Sequence, residues 1–147
     1  MISEQAFVHP NAEIGKNVTI DAFAYIDENV IIGDGTHIYP HATVLSGARI
    51  GKNCNIFPGA VISAIPQDLK FVGEETTAVI GDNTTIRECV TVNRGTASKG
   101  TTIVGNHCLI MAYAHVAHDC KLGDRIILGN TTQLAGEVVV DDWAIVS

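Results

Sequence analysis

The sequence predicts an all-β solenoid, one chain wound into a stack of short parallel strands. Three observations predict it. Aliphatic residues recur every six positions along nearly the whole chain. A second column, mostly of small residues, runs two positions before the first. Gly, Asn and Asp cluster in the intervals between them.

The first column starts at Ile2 and steps through Val8, Ile14, Ile20, Ile26, Ile32, Ile38, Val44, Ile50, Ile56 and Ile62. It lapses at Asp68 and Glu74, resumes at Ile80, Ile86 and Val92, lapses at Ser98, and runs on from Val104 to Val146. Of 25 positions, 22 are aliphatic, and neither the helical nor the strand period generates a six-residue recurrence. The second column includes Ala24, Thr36, Ala42, Cys54, Thr84, Cys108, Ala114 and Cys120. Each six-residue unit thus turns one bulky and one small side chain inward, two apart, as a short strand does. Gly33-Asp-Gly35, Gly51-Lys-Asn53 and Gly81-Asp-Asn83 supply turns, because these residues tolerate conformations that others resist. A strand and a turn repeated in this way make a parallel β-solenoid in which stability comes from neighbouring coils. Two stretches break the rhythm, Ile65–Glu75 and Arg94–Gly100, and are expected to bulge as loops, where function tends to sit.

The 147 residues read as one domain, 1–147. A hydrophobic fraction of 46% argues against disorder, and only 5% aromatics points to a core built by stacking small and aliphatic side chains. A net charge of -7 disfavours a nucleic-acid partner, while an acidic carrier protein remains able to dock on a local basic patch. No apolar run is long enough to span a membrane, and the N-terminus lacks the basic and apolar segments of a signal peptide, so a cytoplasmic location is expected. The chain stops inside a repeat at Ala144–Ser147 without a polar cap, and a longer protein is expected.

The candidates for chemistry lie off both columns. His115 and His118 are three residues apart, with Asp119 directly after the second, and all three are expected to face outward. A histidine titrates near neutrality and serves as a general base toward a hydroxyl. The alternatives are two ordinary surface histidines, or two ligands of a metal site to which His107 or a second subunit adds a third. Gln67-Asp68-Leu-Lys70 offers an amide, a carboxylate and an ammonium able to grip a sugar and a phosphate, or is a plain solvated loop. Cys54, Cys108 and Cys120 fall on the small column and read as core. His9, His37, His41 and His107 carry no partner pattern and read as surface residues.

The rhythm resembles the hexapeptide-repeat family, which implies a left-handed winding, three hexapeptides per triangular coil and about seven to eight coils with two protruding loops. More specifically, Asn55-Ile-Phe-Pro-Gly-Ala60, Pro66-Gln-Asp-Leu-Lys70, Ile86-Arg-Glu, Asn93-Arg-Gly-Thr96, Ala114-His-Val-Ala-His-Asp-Cys120 and Leu134-Ala-Gly136 resemble the acyl-[acyl-carrier-protein]–UDP-N-acetylglucosamine O-acyltransferases of lipid A biosynthesis. That resemblance implies transfer of a 3-hydroxyacyl group from acyl carrier protein to the 3-hydroxyl of UDP-N-acetylglucosamine. It implies His118 as general base, Asp119 as its holder, and the Gly136 N–H as oxyanion donor. It also implies His115, Asp68, Gln67 and Lys70 as substrate contacts, a homotrimer with sites between subunits, and no metal or organic cofactor. Members of the family continue into further coils and a C-terminal helical domain. Two positions depart from the pattern: Glu137 and Asn93 stand where many members have histidine. A non-catalytic trimeric scaffold and a zinc enzyme like the γ-class carbonic anhydrases are the other readings.

Overall fold

The computed structural model describes residues 1–147 and contains twenty-one strands and no helix. It is a left-handed parallel β-helix with three seven-stranded faces. The first face stacks β1 (Phe7–Val8), β4 (Tyr25–Ile26), β7 (Thr43–Val44), β10 (Val61–Ala64), β13 (Thr91–Asn93), β16 (His115–Val116) and β19 (Gln133–Leu134). The second stacks β2 (Glu13–Ile14), β5 (Ile31–Ile32), β8 (Ala48–Ile50), β11 (Thr77–Ile80), β14 (Thr101–Val104), β17 (Lys121–Leu122) and β20 (Val139–Val140). The third stacks β3 (Thr19–Ile20), β6 (His37–Ile38), β9 (Asn55–Ile56), β12 (Thr85–Ile86), β15 (Leu109–Ile110), β18 (Ile127–Leu128) and β21 (Ile145–Val146). Ile2 adds one bridge to Ile20 below this face.

Both predicted columns point inward. Ile26, Ile38, Ile56, Ile62, Ile86 and Ile110 are fully buried, as are Ala42, Ala60 and Ala114. Each buried aliphatic side chain contributes about 1.5–3 kcal/mol. Threonine enters the small column only with its hydroxyl satisfied. Thr36 Oγ1 donates to the Gly51 carbonyl (2.8 Å) and accepts from the Cys54 N–H (3.0 Å). Thr84 repeats the arrangement with Gly105 (2.7 Å) and Cys108 (3.1 Å). Cys54, Cys108 and Cys120 are buried and unpaired.

The turns repeat too. Positive φ recurs one position before the small column, at Asn17, Phe23, Asn29, Gly35, His41, Gly47, Asn53 and Gly59, and again from Asn83 onward. On the corner between the second and third faces, acidic and amide side chains tie consecutive coils. Asp34, Asp82, Asn106, Asp124 and Asp142 each accept a backbone N–H from the coil before, at 2.7–2.9 Å. The Gly33-Asp34 and Gly81-Asp82 turns read from sequence are rungs of this ladder.

The loops explain why the rhythm lapses without losing phase. Partners on the first face are 18 residues apart at Tyr25 and Thr43, 30 apart at Val61 and Thr91, and 24 apart at Thr91 and His115. The insertions are therefore two hexapeptides and one hexapeptide long, matching the lapses at Asp68, Glu74 and Ser98. Both loops leave the same corner, between the first and second faces, in successive coils. The sequence locates the two loops but does not reveal that they are stacked.

One expectation is corrected on the third face. His37 is not a partnerless surface residue: its Nε2 lies 2.6 Å from Asp21 Oδ2, and its ring stacks on Tyr39, 3.9 Å between centroids. Tyr39 stacks on Phe57, which lies under the Arg87 guanidinium. Asp21 lies 16 residues away in sequence, and the 18-residue coil brings it beneath His37.

Candidate functional site

His118 sits on the corner that carries both loops, in the turn between β16 and β17. Its Nδ1 lies 2.8 Å from Asp119 Oδ2. Its Nε2 lies 3.7 Å from Asp68 Oδ2, which comes from the first loop. The imidazole side chain is 18% exposed, and the Asp119 side chain is fully enclosed. Asp119 faces outward as expected, but it is not exposed to solvent. It leaves the prism, but the second loop closes over it.

The second loop satisfies Asp119 completely. Thr96 N–H (3.0 Å) and Lys99 N–H (3.2 Å) donate to Oδ1, and the Thr96 hydroxyl (2.5 Å) joins His118 at Oδ2. The Asp119 N–H in turn donates to Thr102 Oγ1 (2.8 Å). Burial by itself disfavours the ionised carboxylate, but the hydrogen bonds, led by the Thr96 hydroxyl and then His118, outweigh it and hold Asp119 below the ordinary carboxylate range. An ionised Asp119 places the His118 proton on Nδ1 and leaves the Nε2 lone pair free.

Nε2 opens toward a cavity of about 200 Å³ lined by Asp68, Lys70, Glu74, Thr96, Ser98 and Glu137, among others. Each wall is pinned. Lys70 N–H donates to Asp68 Oδ1 (3.0 Å), Ala97 N–H to Glu74 Oε2 (3.2 Å), and Ser98 Oγ to Glu137 Oε1 (2.6 Å). The roof of the imidazole is Gly136, one coil later on the same corner. A Cβ there would meet His118 Cε1 at 2.4 Å and Nε2 at 2.5 Å, so only glycine lets the backbone approach the ring this closely. The Gly136 N–H makes no hydrogen bond within the protein.

Of the residues singled out from sequence, His118, Asp119, Asp68, Lys70 and Gly136 come together. Gln67 is exposed and does not line the cavity, and His115 lies on β16 with Nδ1 2.6 Å from Thr91 Oγ1. Burial, then the nearby His118, push His115 below the usual histidine range. His107 belongs to the corner between β14 and β15, away from His118. No group of three or more His, Cys, Asp or Glu side chains gathers as for a metal ion. Sequence reasoning missed Thr96, Ser98 and Glu74 as parts of the site. Glu74 and Ser98 were visible only as lapses in the aliphatic column.

Two family models match the chain: the GMPPB C-terminal domain over residues 2–102, and the bacterial transferase hexapeptide (six repeats) over residues 101–136. The acyl-[acyl-carrier-protein]–UDP-N-acetylglucosamine O-acyltransferase of Thermodesulfovibrio yellowstonii is 45% identical over 144 residues, 97% of this chain and 56% of that protein. Its counterpart from Sinorhizobium fredii is 48% identical over 152 residues, 99% of this chain and 56% of that protein. The chain therefore spans about half the length of the curated relatives it matches. The crystal structure of the UDP-N-acetylglucosamine acyltransferase from Bacteroides fragilis superimposes with a TM-score of 0.97 at 60% identity, covering 99% of this chain and 57% of that one. With one family model matched over residues 2–102, hexapeptide repeats matched over residues 101–136 and coils superimposable on solved acyltransferases, the chain belongs to the hexapeptide-repeat acyltransferase family.

Proposed function

We propose that this chain carries the site of an O-acyltransferase that moves a 3-hydroxyacyl group from the thioester of acyl carrier protein to the 3-hydroxyl of UDP-N-acetylglucosamine, the opening step of lipid A biosynthesis. The observation that carries the proposal is the His118–Asp119 pair, with Nδ1 on a buried carboxylate and Nε2 open to the cavity. The printed names of the curated relatives support the choice of substrates.

The chemistry follows from the arrangement. His118 Nε2 takes the proton of the acceptor hydroxyl as its oxygen attacks the thioester carbonyl, a role that typically contributes 10²–10⁴-fold in rate. Asp119 stabilises the imidazolium that forms. The tetrahedral oxyanion is met by the unpaired Gly136 N–H, and removing one such donor typically costs about 10²–10³-fold. The imidazolium then returns its proton to the departing thiolate of the carrier. Asp68 and Lys70 contact the sugar and diphosphate, with Gln67 and His115 at the edge of the acceptor site. The working form is a cytoplasmic homotrimer whose sites lie between adjacent subunits, and further coils and a helical domain complete the full protein. Glu137 occupies the cavity wall where a diphosphate would be repelled, so the acceptor enters with its sugar toward Glu137 and its phosphates toward Lys70.

The test is acyl transfer from a 3-hydroxyacyl carrier thioester to UDP-N-acetylglucosamine by the gene product containing this segment. His118→Ala is expected to lower kcat by about 10²–10⁴-fold. An unchanged rate would leave the corner as a scaffold feature and end the proposal.

A further inference from the structure

We infer that Thr96 is a positioning residue for His118, acting through Asp119, and that its hydroxyl sets both the tautomer and the basicity of the imidazole. This rests on His118 being the general base of the proposed reaction. Four contacts fix the direction of the chain of hydrogen bonds. Ser98 N–H donates to Thr96 Oγ1 (3.2 Å), which uses the hydroxyl as an acceptor. The single Thr96 hydroxyl proton is then directed to Asp119 Oδ2 (2.5 Å), the same oxygen that receives the His118 Nδ1 proton (2.8 Å). Ser98 is itself anchored by Oγ to Glu137 (2.6 Å), so the donor is carried on a pinned loop. Thr96 is 6% exposed, and water does not substitute freely for its hydroxyl.

Two donors on one carboxylate oxygen compete for its charge. With the Thr96 hydroxyl present, Asp119 stabilises the imidazolium less than it would alone. Removing the hydroxyl leaves Oδ2 to the imidazole, and the histidine becomes harder to deprotonate. The other charged groups around His118 are Asp68, Glu74, Lys70 and Glu137 in the cavity, His115 on β16 and Lys99 beside Asp119. None of these hydrogen-bonds the Thr96 hydroxyl. A purely structural role for Thr96 would affect stability or substrate affinity without moving the titration of His118.

The experiment is a nitrogen-15 and proton NMR titration of His118 in the ligand-free protein, with Thr96→Val as the isosteric variant that lacks the hydroxyl. Thr96→Val is expected to raise the His118 pKa by roughly half a unit or more and to strengthen its Nδ1–H tautomer preference, while Thr96→Ser restores the wild-type behaviour of both. If valine does not fold there, Thr96→Ala removes the same hydroxyl with less bulk and is read in the same way. In acyl transfer, the acid limb of the hydroxyl-lacking variant's pH profile moves upward by the same shift, so that kcat on that limb falls by about threefold with KM nearly unchanged. A His118 titration and tautomer identical to wild type in the folded hydroxyl-lacking variant would overturn the inference. The NMR arm needs no turnover, so a wild-type protein that fails to transfer acyl groups sinks the proposed reaction while Thr96 is still judged on the titration.

Discussion

Two corners of the prism use carboxylates to bind backbone N–H groups, and they differ in one respect that matters. On the corner between the second and third faces, Asp34, Asp82, Asp124 and Asp142 each spend one oxygen on one N–H and stand in solvent. On the loop-bearing corner, Asp119 spends both oxygens on four donors and is enclosed. The first arrangement is a periodic stitch that any coil can repeat. The second depends on a six-residue insertion that brings Thr96 and Lys99 over a turn ending in a histidine and an aspartate. Repetition supplies the frame, and one interruption converts a stitch into a charge relayed to an imidazole.

The sharpest way to break this contrast is to make the same substitution on both corners. Asp119→Asn is expected to reduce acyl transfer by about 10²-fold, because an amide nitrogen facing Thr96 and His118 cannot accept from them. Asp124→Asn is expected to leave the rate unchanged. Equal losses at the two positions would make Asp119 one more stitch. Gly136→Ala ranks next. A methyl group 2.4 Å from the imidazole must displace the ring or the turn, and kcat is expected to fall by about tenfold. Chemical shifts of His118 report the displacement directly.

The frame was legible in the sequence because inward residues repeat in register. Ile62, Ile86 and Ile110 could be assigned to the core without any structure, since each coil imposes the same choice on the same position. Even the lapses at Asp68, Glu74 and Ser98 carried information, because insertions in units of six keep the count in phase. The site was legible only in part. His118 and Asp119 escaped both columns, and their family resemblance named them. Their partners came from 50 residues upstream for Asp68 and 23 for Thr96, through loops whose path has no period. The burial of Asp119 could not be read at all, because it is caused by the second loop folding over a position that the repeat alone would leave in water.

The pH dependence of stability gives a smaller effect. The folded pKa of Asp119 is depressed, so its contribution to stability is present above the unfolded carboxylate value of about 3.9 and is lost as pH falls through the lower folded value. In urea unfolding, Asp119→Asn is expected to cost about 1–3 kcal/mol near neutral pH, through donors left without acceptors. The gap from wild type should narrow once the pH drops below about 4. A gap that persists undiminished to pH 2 would assign the loss to packing rather than to the ionised carboxylate.

The smallest effect is expected at Asp82, and the molecule already contains the control. Asp82 Oδ1 accepts from the Lys52 N–H at 2.9 Å, and in the next coil Asn106 does the same for the Asp82 N–H at 2.7 Å. An amide therefore serves this ladder as well as a carboxylate, because only one acceptor oxygen is engaged and the other side of the group faces water. Asp82→Asn should change unfolding free energy by less than about 0.5 kcal/mol. A larger loss would mean that the charge, and not the acceptor geometry, holds the ladder. The distinction between the two corners would then rest on the histidine beside Asp119 rather than on how its carboxylate is bound.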